Sequence, residues 1–247
     1  MNNTLLTGLR LIEVLGASPR SMGVTDLAER LDIGKSNVHR VLQSLVEQGY
    51  VLKDEASGTY RASLKIWEVG QGVLTGLSVR NVAAPELNAL MTITRETTVL
   101  SVLDGVDVIY IDKVDSSEPV HIYTSIGRRV PAYCAATGKA MLGFLERAVV
   151  ERVFARVEPH TGNTITQPDV FDAEIALVRK QHVAINRGEW RDSVWGVAAP
   201  IFDGSGAVVA GVGISGPENR VRASLKTTII PAVKESAMRI TAALSRR

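Results

Sequence analysis

With one cysteine in 247 residues, Cys134, the chain has no intrachain disulfide and no multi-cysteine zinc site, and it suits a reducing, cytoplasmic compartment. It has no run approaching the ~18 apolar residues of a membrane span. Met1-Asn2-Asn3-Thr4 has no basic region followed by an apolar core, so no signal peptide is expected. The four histidines, His39, His121, His160 and His182, lack pairwise metal spacing, so neither a metal nor any other cofactor is expected. Formal charge is only +2, so any contact with nucleic acid must come from a local concentration of cations. Internal repeats and low-complexity segments are absent as well. What is present, 45% hydrophobic and 22% charged residues, is a globular composition.

The apolar period supplies the organisation. Thr4 to Ala17 places Leu5, Leu9, Ile12 and Leu15 on one helical face, and Ser18-Pro19 ends it. Thr25 is the expected N-cap of a short helix over 26–31. Lys35 to Gln48 carries Val38, Val41, Leu42, Leu45 and Val46 at amphipathic spacing, with Gly49 as its C-terminal glycine. Residues 50–53 and 59–62 read as strands of a short hairpin. Three helices followed by a hairpin is the order of a winged helix-turn-helix. Helical pattern resumes from Ser63 to Thr97, weakened by Gly70, Gly72 and Gly76. It continues past Pro85, with Val82, Leu87, Leu90 and Ile93 as an apolar stripe suited to a dimer contact or to its own domain.

Beyond it, Val99–Leu103 and Val106–Ile111 flank Asp104-Gly105, a hairpin signal. Val120–Thr124 reads as a third strand. Helices are expected within 138–154 and over 172–181. Val194–Phe202 and Ala207–Ser215 form a second hairpin around Asp203-Gly204-Ser205-Gly206, and 224–244 closes as one long helix. Hairpin-joined strands with helices in separate blocks give an α+β fold with an antiparallel sheet. The expected domains are 1–74, winged helix-turn-helix; 75–95, connecting helix; and 96–247, the α+β domain.

The apolar side of 35–48 must pack on the first two helices. Its free side then presents Lys35, Ser36, Asn37, His39, Arg40 and Gln43, a mixture of phosphate-binding cations and base-edge hydrogen-bonders. Thr25 and Arg61 join them as DNA-contacting candidates. Residues 1–70 hold eight cations against eight acids, so two copies reading a near-palindromic double-stranded operator are expected.

The segments Val24-Thr25-Asp26-Leu27-Ala28-Glu29-Arg30-Leu31, Lys35-Ser36-Asn37-Val38-His39-Arg40-Val41-Leu42 and Glu47-Gln48-Gly49-Tyr50-Val51 resemble the DNA-binding domain of the IclR (isocitrate lyase regulator) family. The likeness continues through Tyr60–Leu64, Val108–Val114, Gly127-Arg128-Arg129-Val130-Pro131, Thr137-Gly138-Lys139-Ala140, Gly196–Asp203 and Ile214–Pro217, over essentially the whole chain. It implies a homodimeric or tetrameric transcription regulator whose C-terminal domain, GAF-like in fold, binds a small effector. Gly34 stands where many members have proline, and Asn37 where threonine is usual.

Ala135-Ala136-Thr137-Gly138 reads as a helix N-terminus of small residues, open to an anion. Facing strands should bring Val194, Gly196, Gly213 and Ser215 to it. By resemblance, Asn186 adds a polar group, and Ile122 and Val130 an apolar wall. Many members have cysteine at Gly196 and serine at Gly213, so the pocket is expected to be roomier and less polar, or filled by Trp195. The expected ligand is a small carboxylate, such as a sugar acid or aromatic acid, and the expected role is repression of a catabolic operon. Thr137-Gly138-Lys139-Ala140 is not a Walker loop: Tyr133 and Ala140 stand where glycine and Ser/Thr are needed. Arg128-Arg129 reads as a solvated pair, Arg246-Arg247 as a frayed terminus, and Trp67, Trp190 and Trp195 as packing residues. The competing reading is a small-molecule enzyme using Cys134 or Ser215, with the N-terminal helices as a dimerisation module.

Overall fold

The computed structural model describes residues 3–75 and 78–246. Outside them lie Met1 and Asn2 of the segment read for a signal peptide, Gly76 and Leu77 of the weakened helical stretch, and Arg247 of the terminal pair. The chain divides into two units, Met1–Gly76 and Leu77–Arg247.

The first unit contains α1 (Asn3–Ala17), α2 (Val24–Leu31), α3 (Lys35–Glu47), a hairpin of β1 (Val51–Asp54) and β2 (Thr59–Ala62), and α4 (Leu64–Thr75). Its core joins Leu11 and Leu15 of α1, Leu27 and Leu31 of α2, Val38, Val41 and Leu42 of α3, and Val51 and Tyr60 of the hairpin. Gly49, at φ +75°, takes the left-handed conformation that ends α3. Three expectations need correction. The buried face of α1 is Thr7, Gly8, Leu11 and Leu15, while Leu5 and Leu9 are exposed. Leucines occupy more than one side of this helix, and the close approach of Gly8 to Val41 decides which side faces inward. The N-cap of α2 is Gly23 rather than Thr25, and the Gly23 N–H donates to the Asp26 carboxylate at 3.3 Å. Trp67, expected to pack, is exposed on α4.

The second unit begins with α5 (Ser78–Thr94), β3 (Thr97–Asp104), β4 (Asp107–Val114), β5 (Arg129–Pro131), α6 (Ala136–Leu142), α7 (Arg147–Phe154) and α8 (Pro168–Gln181). It continues with β6 (Ala184–Arg187), β7 (Val194–Phe202), β8 (Val208–Pro217), α9 (Glu218–Ser224), a π-helical turn (Leu225–Ile229) and α10 (Ile230–Leu244). Among the described residues, one antiparallel sheet runs β5-β4-β3-β8-β7-β6. Because strand residues alternate faces, Gly196 and Ala198 of β7 meet α6 while Ala199 meets α10 on the other side. Helices α5 and α10 pack on each other and on β3 and β7.

Residues 120–124 are not a strand. Thr97 Oγ1 donates to the Ile122 carbonyl at 3.0 Å, but this stretch makes no ladder, and β5 takes the sheet edge instead. The 224–244 helix is interrupted: Pro231 has no N–H to give the preceding turn, which widens to π geometry before α10. Pro85 lies inside α5. Leu87 and Leu90 of the apolar stripe are fully buried in their own unit and so are unavailable to a second copy, whereas Ile93 is exposed.

Candidate functional site

Two surfaces answer the sequence reading, one in each unit. In the first, burial of Val38, Val41 and Leu42 turns Lys35, Ser36, His39, Arg40 and Gln43 outward. Asn37 is half-buried, and Arg40 Nη2 donates to its Oδ1 at 3.0 Å. Thr25, in the first turn of α2, and Arg61, on β2, are exposed. None of these cations forms an ion pair among the described residues, so their charge is free for phosphate or base edges.

In the second unit a cavity of about 60 Å³ opens between β3, β7, β8 and α6. Eight of the expected residues line it: Ile122, Val130, Ala136, Thr137, Asn186, Val194, Gly196 and Ser215. Gly138 and Gly213 do not. A Cβ on Gly138 would lie 2.2 Å from the Ala132 carbonyl, and one on Gly213 would lie 2.3 Å from the Val197 carbonyl. Both glycines let backbones approach each other and leave no room for a ligand. Trp195 does not fill the cavity either; as the residue between Val194 and Gly196, it points to the opposite face.

Several groups on the wall had been passed over. Arg128, read as one of a solvated pair, lines the cavity together with Arg191, while its neighbour Arg129 pairs with Asp104. Neither the Arg128 nor the Arg191 guanidinium has a hydrogen bond or ion pair among the described residues, and no acidic side chain lines the cavity. Thr124 and Thr137 are buried there with hydroxyls that have no partner among the described residues. Tyr110 contributes a phenol pushed up to about 12, chiefly by burial and then by the neighbouring Cys134, against the opposing charges of Arg128 and Arg191. It is therefore a neutral hydrogen-bonding group at ordinary pH. Trp190 completes the wall, its ring set edge-on against His160 at 4.3 Å, and His160 Nε2 lies 2.7 Å from the Tyr133 hydroxyl.

A buried ion cluster holds this wall. Lys139 of α6 is fully buried and donates to Glu189 Oε1 at 2.7 Å, the Ile185 carbonyl at 2.8 Å and Glu174 Oε1 at 3.0 Å. Burial pushes the Glu189 carboxyl up, against the stabilising charge and hydrogen bond of Lys139. Asn186 is committed to the scaffold: its amide donates to the Cys134 carbonyl, and its Oδ1 accepts from Gly188 N at 2.9 Å and Glu189 N at 3.0 Å. It was expected to offer an amide to the ligand; instead it fixes the turn that carries Glu189, Trp190 and Arg191.

Cys134 is fully buried, its thiol donates to the Pro131 carbonyl at 3.4 Å, and burial pushes its pKa up, away from the thiolate a nucleophile needs. Among the described residues no group of three His, Cys, Asp or Glu could hold a metal ion, and no helix is long and apolar enough to cross a membrane.

Comparison with known proteins joins the two surfaces. Residues 4–55 match the IclR helix-turn-helix domain, and residues 71–242 match the family described as bacterial transcriptional regulator IclR C-terminal. The chain is 34% identical over 245 residues to the DNA-binding transcriptional repressor YiaJ of Escherichia coli K12, covering 97% of this chain and 86% of that protein. The crystal structure of the Thermotoga maritima IclR superposes with a TM-score of 0.79 at 30% identity, over 99% of this chain and 100% of that one. The fold is also that of an IclR homologue from Microbacterium hydrocarbonoxydans complexed with 4-hydroxybenzoate, with TM-score 0.86, 23% identity, and 99% and 100% of the chains covered. A polar helix face in one unit, a small cavity in the other and a family match over each lead to one assignment: the chain belongs to the IclR family of bacterial transcriptional regulators.

Proposed function

We propose that this DNA-binding regulator is a cytoplasmic repressor of a catabolic operon, released or retained on its operator by a small carboxylate. The observation that carries the effector class is the cavity's charge: Arg128 and Arg191 line it and no Asp or Glu does. A carboxylate gains from both cations, whereas a cation would be repelled at the mouth. A sugar acid or an aromatic acid has the chemistry, and the Microbacterium homologue's 4-hydroxybenzoate is an acid of the second kind. Residues Thr25, Lys35, Ser36, Asn37, His39, Arg40, Gln43 and Arg61 are the DNA contacts of this reading. The effector contacts are Ile122, Val130, Ala136, Thr137, Val194, Gly196 and Ser215. An N-terminal unit with eight cations against eight acids in its first seventy residues gains little from phosphate alone, so a homodimer or tetramer engages a near-palindromic site. Membership of a family of transcription regulators sets aside the enzyme reading through Cys134 or Ser215.

The effector acts by binding one DNA-competence state better than the other, since equal affinity for both would shift nothing. The test is a gel shift on the DNA upstream of the protein's own gene, with and without a panel of small acids and their amides. A retarded complex whose affinity changes with an acid and not with its amide is the expected result. No specific complex, or equal response to the amides, would overturn the reading.

A further inference from the structure

The cavity is chemically two-ended. At its mouth stand two guanidiniums without a hydrogen bond or ion pair among the described residues, exposed Arg191 and half-buried Arg128. More buried in the wall are Thr137, 2% exposed, and Thr124, 7% exposed, and neither hydroxyl has a partner among the described residues. Buried hydroxyls in native proteins are nearly always hydrogen-bonded, so two unpartnered ones on one cavity wall ask for a polar group from outside the chain. The rest of the wall combines apolar Val99, Ile122, Val130, Val194 and Ile214 with the neutral polar groups of Tyr110, Trp190 and Ser215. A plain fatty acid would satisfy the mouth and leave the floor unpaired; a polyol without a carboxylate would do the reverse.

We propose that Arg128 and Arg191 grip the effector's carboxylate at the mouth, while the hydroxyls of Thr124 and Thr137 take a hydroxyl or oxo group at the ligand's other end. The effector is then a bifunctional acid, bound with its carboxylate outward and its second oxygen inward. This rests on the small-carboxylate reading and adds to it an orientation, a required second group and four residues that set specificity. The orientation also reverses what the sequence suggested, a carboxylate at the start of α6. That helix spans only seven residues, and its N-cap, Ala135, supplies no side-chain oxygen. The aligned dipole available there is small beside two full charges.

The test is calorimetry on the full-length protein with two matched sets of probes: 3-hydroxybenzoate, benzoate and 3-hydroxybenzamide, and 4-oxopentanoate, pentanoate and 4-oxopentanamide. In the wild type the bifunctional acid of at least one set should bind more tightly than both companions. The pair Arg128→Gln and Arg191→Gln should weaken that acid by about 10- to 100-fold, the worth of charged hydrogen bonds, and leave its amide unchanged. The pair Thr124→Val and Thr137→Val, which keeps side-chain shape, should cost the bifunctional acid about fivefold or more and spare its plain counterpart. Unchanged thermal melts would show that all variants fold; if a double variant melts early, the single substitutions replace it. An acid preference that survives loss of both arginines overturns the clamp while leaving the carboxylate reading intact. A hydroxyl or oxo preference that survives loss of both threonines overturns the floor. Amides binding as well as acids, or no binding by either set, overturns this proposal and the carboxylate reading together.

Discussion

Replacing Lys139 with methionine isolates the energetics that hold the cavity wall. The lysine is fully buried, and its ammonium has three acceptors within 3.0 Å, two of them carboxylates. Methionine fills similar volume and removes the charge. Glu189, with only 3% of its side chain exposed, then lies beside Glu174 without the one cation bonded to it, keeping only the Arg187 backbone N–H at 3.3 Å. Breaking a buried pair from one side costs about 3–5 kcal/mol, because the stranded charge has lost both water and partner. For a domain of this size each kcal/mol is about 2–4 °C, so the melt of the C-terminal unit should fall by roughly 6–20 °C at pH 7. The loss should depend on pH. Burial already raises the folded pKa of Glu189 above its unfolded value, and removing Lys139 raises it further. The folded state then binds more protons than the unfolded one, so stability falls as pH rises from the unfolded carboxylate pKa towards the folded one. Near-UV circular dichroism melts at pH 5 and pH 7 would read this, with the double variant Lys139→Met/Glu189→Gln recovering most of the loss. A deficit below about 1 kcal/mol at pH 7, or one that is unchanged at pH 5 and unrelieved in the double variant, would refute the reasoning.

Glu189→Gln alone should narrow its stability gap to wild type as pH rises, because the substituted side chain no longer opposes deprotonation; urea titrations from pH 4.5 upward measure the trend. Gly138→Ala should destabilise by about 1–3 kcal/mol, since its Cβ meets backbone and not a flexible side chain; a melt within error of wild type would contradict the close packing. Arg40→Ala should weaken operator binding without altering the melt, by about 1–3 kcal/mol and at one base position if Arg40 reads a base edge, or uniformly across sequences if it contacts phosphate. Cys134 should resist iodoacetamide at pH 8 in the folded protein and react on denaturation; prompt native labelling would contradict its burial.

Much of the scaffold could be read from short-range pattern. The spacing of Val38, Val41 and Leu42 gives α3 its buried face, and Asp104-Gly105 announces the β3–β4 turn, with Gly105 at φ +66°. Residues 194–202 and β7 coincide. The errors share a cause, which is that the deciding partner is distant in sequence. Val120–Thr124 is apolar enough for a strand, yet the neighbouring edge is taken by β5, and Val120 and Tyr123 stay exposed. β6 is four residues long and pairs with β7, so its Ala184-Ile185-Asn186-Arg187 carries too little period to be noticed alone. Leu87 and Leu90 look like an unpartnered stripe until α10, some 140 residues on, covers them.

The cavity sharpens the same point into a rule about glycine and charge. From sequence, a glycine where relatives have a larger residue reads as added space; here Gly196 does line the cavity, with Ala136 Cβ only 3.2 Å from where its Cβ would stand, whereas at Gly213 the β7 backbone has already taken the room. Only the register, Ala198 against Gly213 and Gly196 against Ser215, separates the two cases. Arg128 did have a local signal, since it stands two residues before Val130 and so shares its side of an extended chain. Arg191 had none. Its place at the cavity follows from Glu189, two residues earlier, meeting Lys139 fifty residues away, and from Asn186 capping the turn between them. Arg191 is thus positioned at the cavity by a buried ion cluster whose members, Lys139, Glu174 and Glu189, do not line it. Trp190 and Arg191 could therefore be exchanged while Asn186, Glu189 and Lys139 hold the same turn.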